Sequence, residues 1–553
     1  MTVIALRDFA GMNLGTNPEL LPDDVSTNAV NTKLIYGDLR PWRSPLSVYT
    51  PTISGTIKTI YRFGENSTSD SQYWFAWTSD VNVVRAPIDN DLTERTYYTG
   101  DGYPKVTNLT RATTGGSSLP VNYYRLGVPP PDVSNTTVTI TGTPTNATNV
   151  ASSVAYVITY VSSEGEESVP SDPTTVVSYK PGQTMQLRHI PTGTFASPYN
   201  TWNNVDVATK RIYRSNTGST GTNYQFVTEI PLAQDYFDDS TLSENLQELV
   251  TTWNWLPPEA DMQGLVLMAN GIGVGFKGNT IYPSEPFALY AYPVQYQIST
   301  EYPVVGLGAF GQSVFVGTTG NPYVIQGSDP GSLTMTKLPQ KQACVSKRSI
   351  VEMNGGVIYA SPDGLMQVTE SNGLSSLTAG LINRDDWQSF NPSSFSSFEL
   401  DSRYYAFYDN GTTQGCLVFD FGAKPNFHKL DIYATAGYNE RRKDALFLTI
   451  GNVIQKWDYG TTNLTMTWHS KRYRFSSQIN MGVGKIDAAS YPVTLKLWAD
   501  GALKITKTVA NNQIFKLQAG YRAEKFELEV SASDQIISVA VGETAKDIRE
   551  VYV

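Results

Sequence analysis

A chain of 553 residues is long enough for three to four units of about 150 residues each, so one compact ball is not expected. With 40% hydrophobic, 12% aromatic and only 17% charged residues, wholesale disorder is excluded, and the 33 Tyr, 44 Gly and 31 Pro argue against helical bundles and for an all-β protein with few helices. A net charge of −10, from 41 Lys+Arg against 51 Asp+Glu, disfavours a surface that grips phosphates along its whole length.

Two cysteines, Cys344 and Cys416, are too few for a disulfide-built scaffold and read as reduced core thiols. The N-terminal MTVIALRDFAGMNLG lacks the basic flank and long apolar core of a secretory signal, and the most apolar later run, 264–276, is short and broken by glycines. The expectation is a soluble protein without stable membrane insertion, finished in the cytoplasm.

Residues 1–50 read as an extended N-terminal segment leading into the first of a series of blades. In 51–123, the stretches 57–63, 73–78, 81–87 and 96–98 read as four short strands of one blade. The segment 124–132 (YRLGVPPPD) carries three consecutive prolines and reads as a stiff linker. Thr/Asn/Ser-rich strands follow at 137–140, 154–161, 174–179, 184–190, 210–215 and 224–229. The 124–255 span is therefore expected to be an inserted β-sandwich, similar to fibronectin or immunoglobulin modules.

From 256 to 464 a pattern repeats: a turn, an alternating apolar strand, a second turn and another strand. Taking Gly271, Gly311, Gly355, Arg403 and Asp444 as equivalent points, the steps are 40, 44, 48 and 41 residues, the spacing of four-stranded propeller blades. With the early blade this predicts a β-propeller of about six blades, with seven the alternative count, closed so that strand edges are hidden. An irregular stack of hairpins is the competing reading. Residues 465–553 form a third texture. Alternation on both sides of Asp500-Gly501, and again in 524–530 and 536–541, predicts a C-terminal antiparallel β-domain with one face buried.

Chemistry is sparse. His189, His428 and His469 are far apart and in no metal-binding spacing, and no phosphate-binding glycine loop or serine elbow occurs. Neither cysteine has a neighbour in sequence that would lower its pKa. Propellers include glycosidases with two facing carboxylates, which makes Asp89/Asp91, Glu166/Glu167, Asp238/Asp239 and Asp385/Asp386 worth weighing. Neighbouring residues on a strand point to opposite faces, so each pair reads as a turn or solvated loop. Asp89-Asn90-Asp91 lacks the later ligands of a calcium loop. Ser361-Pro-Asp363-Gly364 resembles a sialidase Asp-box, but Leu365-Met366 follow in place of Thr-Trp, which leaves a β-turn. No catalytic, metal or cofactor-binding residue is assigned.

The most specific text lies near the start: Phe9-Ala-Gly11, then Leu20-Leu21-Pro22-Asp23, Asn31, and Gly37-Asp-Leu39-Arg40-Pro41. In order and spacing this resembles the opening of the tail nozzle, or tail tubular protein B, family of short-tailed bacteriophages, with Asp24 where that pattern carries Gly. The phrase Tyr124 to Pro129, the fibronectin-like insertion and the stretch from Trp468 to the Asp500-Gly501 hairpin extend the likeness over nearly the whole chain.

The resemblance implies a structural virion subunit, not an enzyme and without cofactors. It implies a homohexameric ring below an adaptor of the tail tubular A kind, contacts to tail fibres, and double-stranded DNA passing through without specific binding. On this view the channel lining is net negative or neutral, because a basic duct would hold phosphates. The cluster Glu440-Arg441-Arg442-Lys443 would then face a protein partner or form an isolated ring. The alternative is a tail-associated or secreted carbohydrate-binding or carbohydrate-hydrolysing propeller protein, with Tyr and Trp as stacking platforms.

Overall fold

The computed structural model describes residues 2–64, 69–89, 91–218, 221–422, 424–518 and 520–551. The chain is nearly all β, and among these residues the only α-helices are Leu109–Thr113, Arg384–Ser389 and Ala545–Val551. No helix of the described residues is long and apolar enough to cross a membrane.

The repeated segments fall on hairpins, as the alternation requires. Antiparallel four-stranded sheets succeed one another at 82–125, 263–299, 304–337 and 351–376. A further run, Ser396–Leu400 to Asn426–Leu430, is also antiparallel. The last sheet, Ala436–Glu440, Ala445–Ile450 and Val453–Lys456, is completed by Leu46–Tyr49 from the N-terminus. First strands pack in sequence: Gln263–Leu267 lies between Asn82–Arg85 and Val304–Phe310. The row continues through Val351–Met353, Ser396–Leu400 and Ala436–Glu440 to Thr59–Arg62. Left-handed residues make the tight turns between strands, among them Asn354 (φ 54°), Asp401 (φ 52°) and Asp444 (φ 47°).

The four strands expected as one blade across 57–98 belong to two sheets. Thr59–Arg62 pairs only with Trp74–Trp77 in a two-stranded sheet, whereas Asn82–Arg85 and Thr96–Thr99 start the next one. The connection between them bonds to Thr59, whose hydroxyl donates to the Ser79 carbonyl and accepts from the Val81 amide. Trp77 bridges the two sheets against Tyr98, with ring centroids 5.4 Å apart. The expected linker at 124–132 also begins as a strand, because Tyr124–Arg125 is the outer edge of the 82–125 sheet.

The insertion contains sheets of Thr137–Thr141, Thr184–Arg188 and Tyr236–Asp239, and of Tyr156–Val161, Thr209–Gly218 and Gly221–Pro231, with Ser152–Val154 pairing Val177–Tyr179. Tyr156, Ile158, Met185, Leu187 and Ile212 fill the space between them. In 465–553 the expected hairpin forms at Asp500 (φ 49°) and Gly501 (φ 78°), joining Val493–Ala499 to Ala502–Val509.

That C-terminal region shares its sheets with residues expected to be merely extended. Val3–Leu6 pairs with Ile536–Gly542. Ser26–Val30 lies between Met466–Ser470, antiparallel, and Asn426–Leu430, parallel, and so splices two sheets into one of ten strands. Ile4, Leu6, Phe9 and Met12 are buried in the same core as Trp387, Trp468 and Val539.

Candidate functional site

The N-terminal motif is a seam between the C-terminal sheets and the run at 396–430. Phe9 is buried edge-on against Trp468, 5.1 Å between centroids. Gly11 passes so close to the neighbouring strand that a Cβ there would lie 2.4 Å from Asn426 Oδ1 and 2.6 Å from the Phe427 carbonyl. Leu21 is buried, whereas Leu20 is 75% exposed on a loop tied down by Glu19 to Lys525 (2.6 Å) and Asp23 to Lys471 (3.0 Å). Pro22 is exposed on the same loop.

Asn31, 1% exposed with φ 56°, makes the densest stitch. Its Nδ2 donates to the Thr465 carbonyl (3.0 Å) and its Oδ1 accepts from the Asp431 amide (3.2 Å), while its backbone bonds to Lys429 and Trp42. Gly37 (φ 82°) makes the turn that brings its carbonyl to the Phe9 amide. Leu39 is buried and exchanges backbone hydrogen bonds with Ile536. Arg40 pairs with Asp38 (2.9 Å) and stacks on Tyr36, and Pro41 pairs with Thr32.

Arg40 and Pro41 also border a cleft of about 590 Å³, together with Lys33, Trp42, Asp401, Asp444, Asp458 and Asp534 among others. Asp401 and Asp444 come from turns of successive sheets. Lys33 neutralises Asp458 at 2.7 Å, and the Arg43 amide donates to the same carboxylate at 2.8 Å. Tyr459, on the rim, carries Lys456 at 3.8 Å over its ring. Mixed charge around an aromatic edge suits a polar ligand or a partner's loop, not an apolar molecule.

The acid pairs are drawn apart. Asp238 meets Arg188 at the surface (2.6 Å), while Asp239 is fully buried against Arg214 (2.7 Å) and the Tyr156 hydroxyl (2.7 Å). Asp385 and Asp386 lie in the first turn of the 384–389 helix instead of a loop, where Asn383 caps the Asp386 amide. Asp91 organises a turn through Thr93 and Arg95; the central Asn90 of that motif lies outside the described residues. Glu167 bonds to Arg211, Tyr213 and Thr159, whereas Glu166 is buried beneath Tyr97. Ser361 and Gly364 close the hairpin turn that their sequence suggested.

Cys344 and Cys416 are free and buried, and burial pushes the Cys344 thiol up to about 12 and raises that of Cys416. His189 is exposed. Burial, with Arg403 nearby, lowers His428 to about 3; its Nε2 lies 3.2 Å from Trp42 Nε1. His469 stands between Glu527 (3.1 Å) and Glu529 (3.3 Å). No group of three His, Cys, Asp or Glu among the described residues is placed to hold a metal.

In the Glu440–Lys443 cluster Arg441, Arg442 and Lys443 are exposed, and the cluster makes ion pairs within its own chain. Lys443 pairs with Asp70 (3.0 Å), which also meets Lys456 (3.3 Å) and Arg62 (3.2 Å), and Arg441 pairs with Glu352 (2.8 Å). Burial would raise the Asp70 carboxyl, but Lys443 and Lys456 hold it below the usual range.

Sequence reasoning missed Arg348. Its guanidinium pairs with Asp80 and donates to the Val81 carbonyl (2.7 Å) and the Thr59 hydroxyl (3.1 Å), joining segments more than 260 residues apart. No local pattern in sequence marks it.

No protein-family model matches the chain, and no curated protein does. Among solved structures it is similar to the extracellular domain of a hybrid two-component system from B. thetaiotaomicron. That likeness has 10% identity over 76% of this chain and 52% of that one, with a TM-score of 0.19. It is also similar to the extracellular domain of a one-component system from the same organism, at 11% identity over 88% of this chain and 68% of the other, with a TM-score of 0.26. The chain thus spans about half the length of the first of these.

Proposed function

We propose that this chain is a structural, ring-forming subunit of the tail-nozzle kind from short-tailed bacteriophages, working beneath an adaptor and beside tail fibres as a wall of the genome's path. The observation that carries this reading is the N-terminal pattern from Phe9 to Pro41, with the nozzle-like motifs that follow it in order. Most of those N-terminal residues have a specific job in one seam: Phe9, Gly11, Leu21, Asn31, Gly37 and Leu39 are set by packing or hydrogen bonds, which a rigid scaffold requires.

The successive sheets are read as a propeller of seven units, one of them two-stranded. Supporting closure are the row of first strands, the completion of the last sheet by Leu46–Tyr49, and Arg348, which reaches from the middle of the row to Thr59 and Val81 at its two ends. The cavity there, lined by Tyr61, Arg348, Phe398 and Tyr438 among others, holds only about 250 Å³. At about 30 Å³ per water it has room for a few solvent molecules, not a duplex. In this role DNA therefore passes between subunits and never through one.

The reading is tested by negative-stain imaging of the purified chain, alone and mixed with the adaptor. Six-fold rings with an open centre are expected, and persistent monomers in the presence of the adaptor would overturn it. The 590 Å³ cleft with its carboxylates and Tyr459 favours one second reading, a saccharide site. Binding on a glycan array that is lost in Asp444→Asn would support it against the first.

A further inference from the structure

The inserted sandwich meets the 82–125 sheet across a face crowded with charge. From the sandwich, Glu164 accepts a hydrogen bond from Asn108 Nδ2 (2.6 Å) and lies 3.6 Å from the Arg111 guanidinium, which Asp206 also approaches at 3.8 Å. Between them Glu166, 5% exposed, accepts a bond from the Tyr97 hydroxyl at 3.2 Å. Arg95 is near, but its guanidinium is engaged by Asp91 (3.3 Å) and reaches only the backbone carbonyl of Glu164. Tyr290 faces the same acid from the following sheet, and Glu167 points away to Arg211. A second contact lies at Arg125, whose guanidinium stacks 3.3 Å over Trp202 and whose backbone amide donates to the Asn204 carbonyl.

We propose that this junction is a proton-dependent latch, in which the sandwich is held against the 82–125 sheet while Glu166 carries a proton and is released to move when Glu166 ionises. An ionised Glu166 would be a third carboxylate beside Glu164 and Asp206, sealed from water, facing one hydroxyl donor and an arginine already paired. Burial first, then Asp206 and Glu164, push its carboxyl from the ordinary 4.5 up to about 7, against the pull of Arg95 and Tyr97.

The docked state therefore keeps a proton that the freed state gives up. Docking is at full strength below about pH 4.5, weakens through the interval up to about 7, and levels off above it. Over that interval the docking equilibrium falls by roughly two orders of magnitude. The Arg125–Trp202 contact carries no titration in this range and remains as a tether.

Hydrogen exchange of the intact chain at pH 5.5 and pH 8, corrected for intrinsic rates, tests this on segments 162–168 and 199–206, with 356–361 as the reference. Protection in the first two segments is expected to fall by up to about thirtyfold at pH 8 while the reference holds. Glu166→Gln, fixed in the neutral form, is expected to keep the protection at both values. Asp206→Asn, which removes one neighbouring charge, is expected to move the transition to lower pH. Equal protection of the unmodified chain at both pH values, or an unchanged transition in both variants, overturns the latch.

Discussion

Asn31 offers the sharpest separation between a motif residue that holds the fold and one that meets a partner. In Asn31→Ala, the Thr465 carbonyl and the Asp431 amide each lose a partner at a buried seam, at about 1.5 kcal/mol apiece. An alanine held at φ 56° adds about 1 kcal/mol, because its Cβ crowds the carbonyl in the left-handed region. The sum is about 4 kcal/mol, or roughly a thousand-fold loss of local protection. Asn31→Gly loses the same two bonds without the backbone penalty, so it should lie about 1 kcal/mol nearer the unmodified chain. The assay is native-state hydrogen exchange, read at the Asn426–Leu430 and Met466–Ser470 strands, since a single global midpoint has little meaning for a chain of several cores. If both variants keep their protection within about threefold yet fail to assemble with an adaptor, Asn31 is a docking residue and the seam argument is wrong.

Asp239→Asn should destabilise the sandwich by about 3 to 5 kcal/mol, because Arg214 would stay buried with its charge uncompensated. Proteolysis confined to 137–239 would check it, and an unchanged digestion pattern would count against it. Arg348→Met should speed exchange in Thr59–Arg62 by about thirtyfold, with Asp80 left to Lys347 at 3.5 Å; no local change there would show that Arg348 does not hold that strand. His469 gives a pH effect of the opposite sign to that of a carboxylate with a lowered pKa, such as Asp70. Burial alone would lower its pKa, but hydrogen bonds and charge from Glu527 and Glu529 hold it above the ordinary 6.5. Its contribution is full below about 6.5 and is lost as pH rises through the raised value, and His469→Gln should flatten that step. A ring-proton NMR titration with a midpoint at or below 6.5 would refute the assignment.

The repeated hairpins were legible because their information is local. Turns such as Asn354-Gly355 and Asp500-Gly501 need φ > 0 at positions where Asn, Asp or Gly stand, and the strands on either side alternate with period two. Pairing between distant strands leaves no such mark. Nothing in Val3–Leu6 tells that its partner is Ile536–Gly542, or in Leu46–Tyr49 that it completes a sheet with Val453–Lys456. The split of 57–98 into two sheets is accompanied by bonds of the Thr59 hydroxyl to Ser79 and Val81, a side-chain contact that no local pattern announces. Likewise Glu166 and Glu167 could be noticed as a pair, but what separates their chemistry is Tyr97, contributed by a sheet 69 residues upstream.

That long-range closure has a consequence for the proposed role. The first fifty residues supply strands to sheets whose other strands come from Asn426–Leu430, Val453–Lys456, Met466–Ser470 and Ile536–Gly542, so none of these sheets can be completed before residue 456 has been made. Pairings of such sequence separation form late, after the loops between them have been ordered. Leu20, 75% exposed, and Tyr36, 72% exposed, sit on turns tied to this seam by Glu19–Lys525 and by the Phe9 amide on the Gly37 carbonyl. Any contact made through them is therefore available only on a finished subunit. In the proposed role, that order of events would keep a contact with an adaptor or fibre from forming on an unfinished chain.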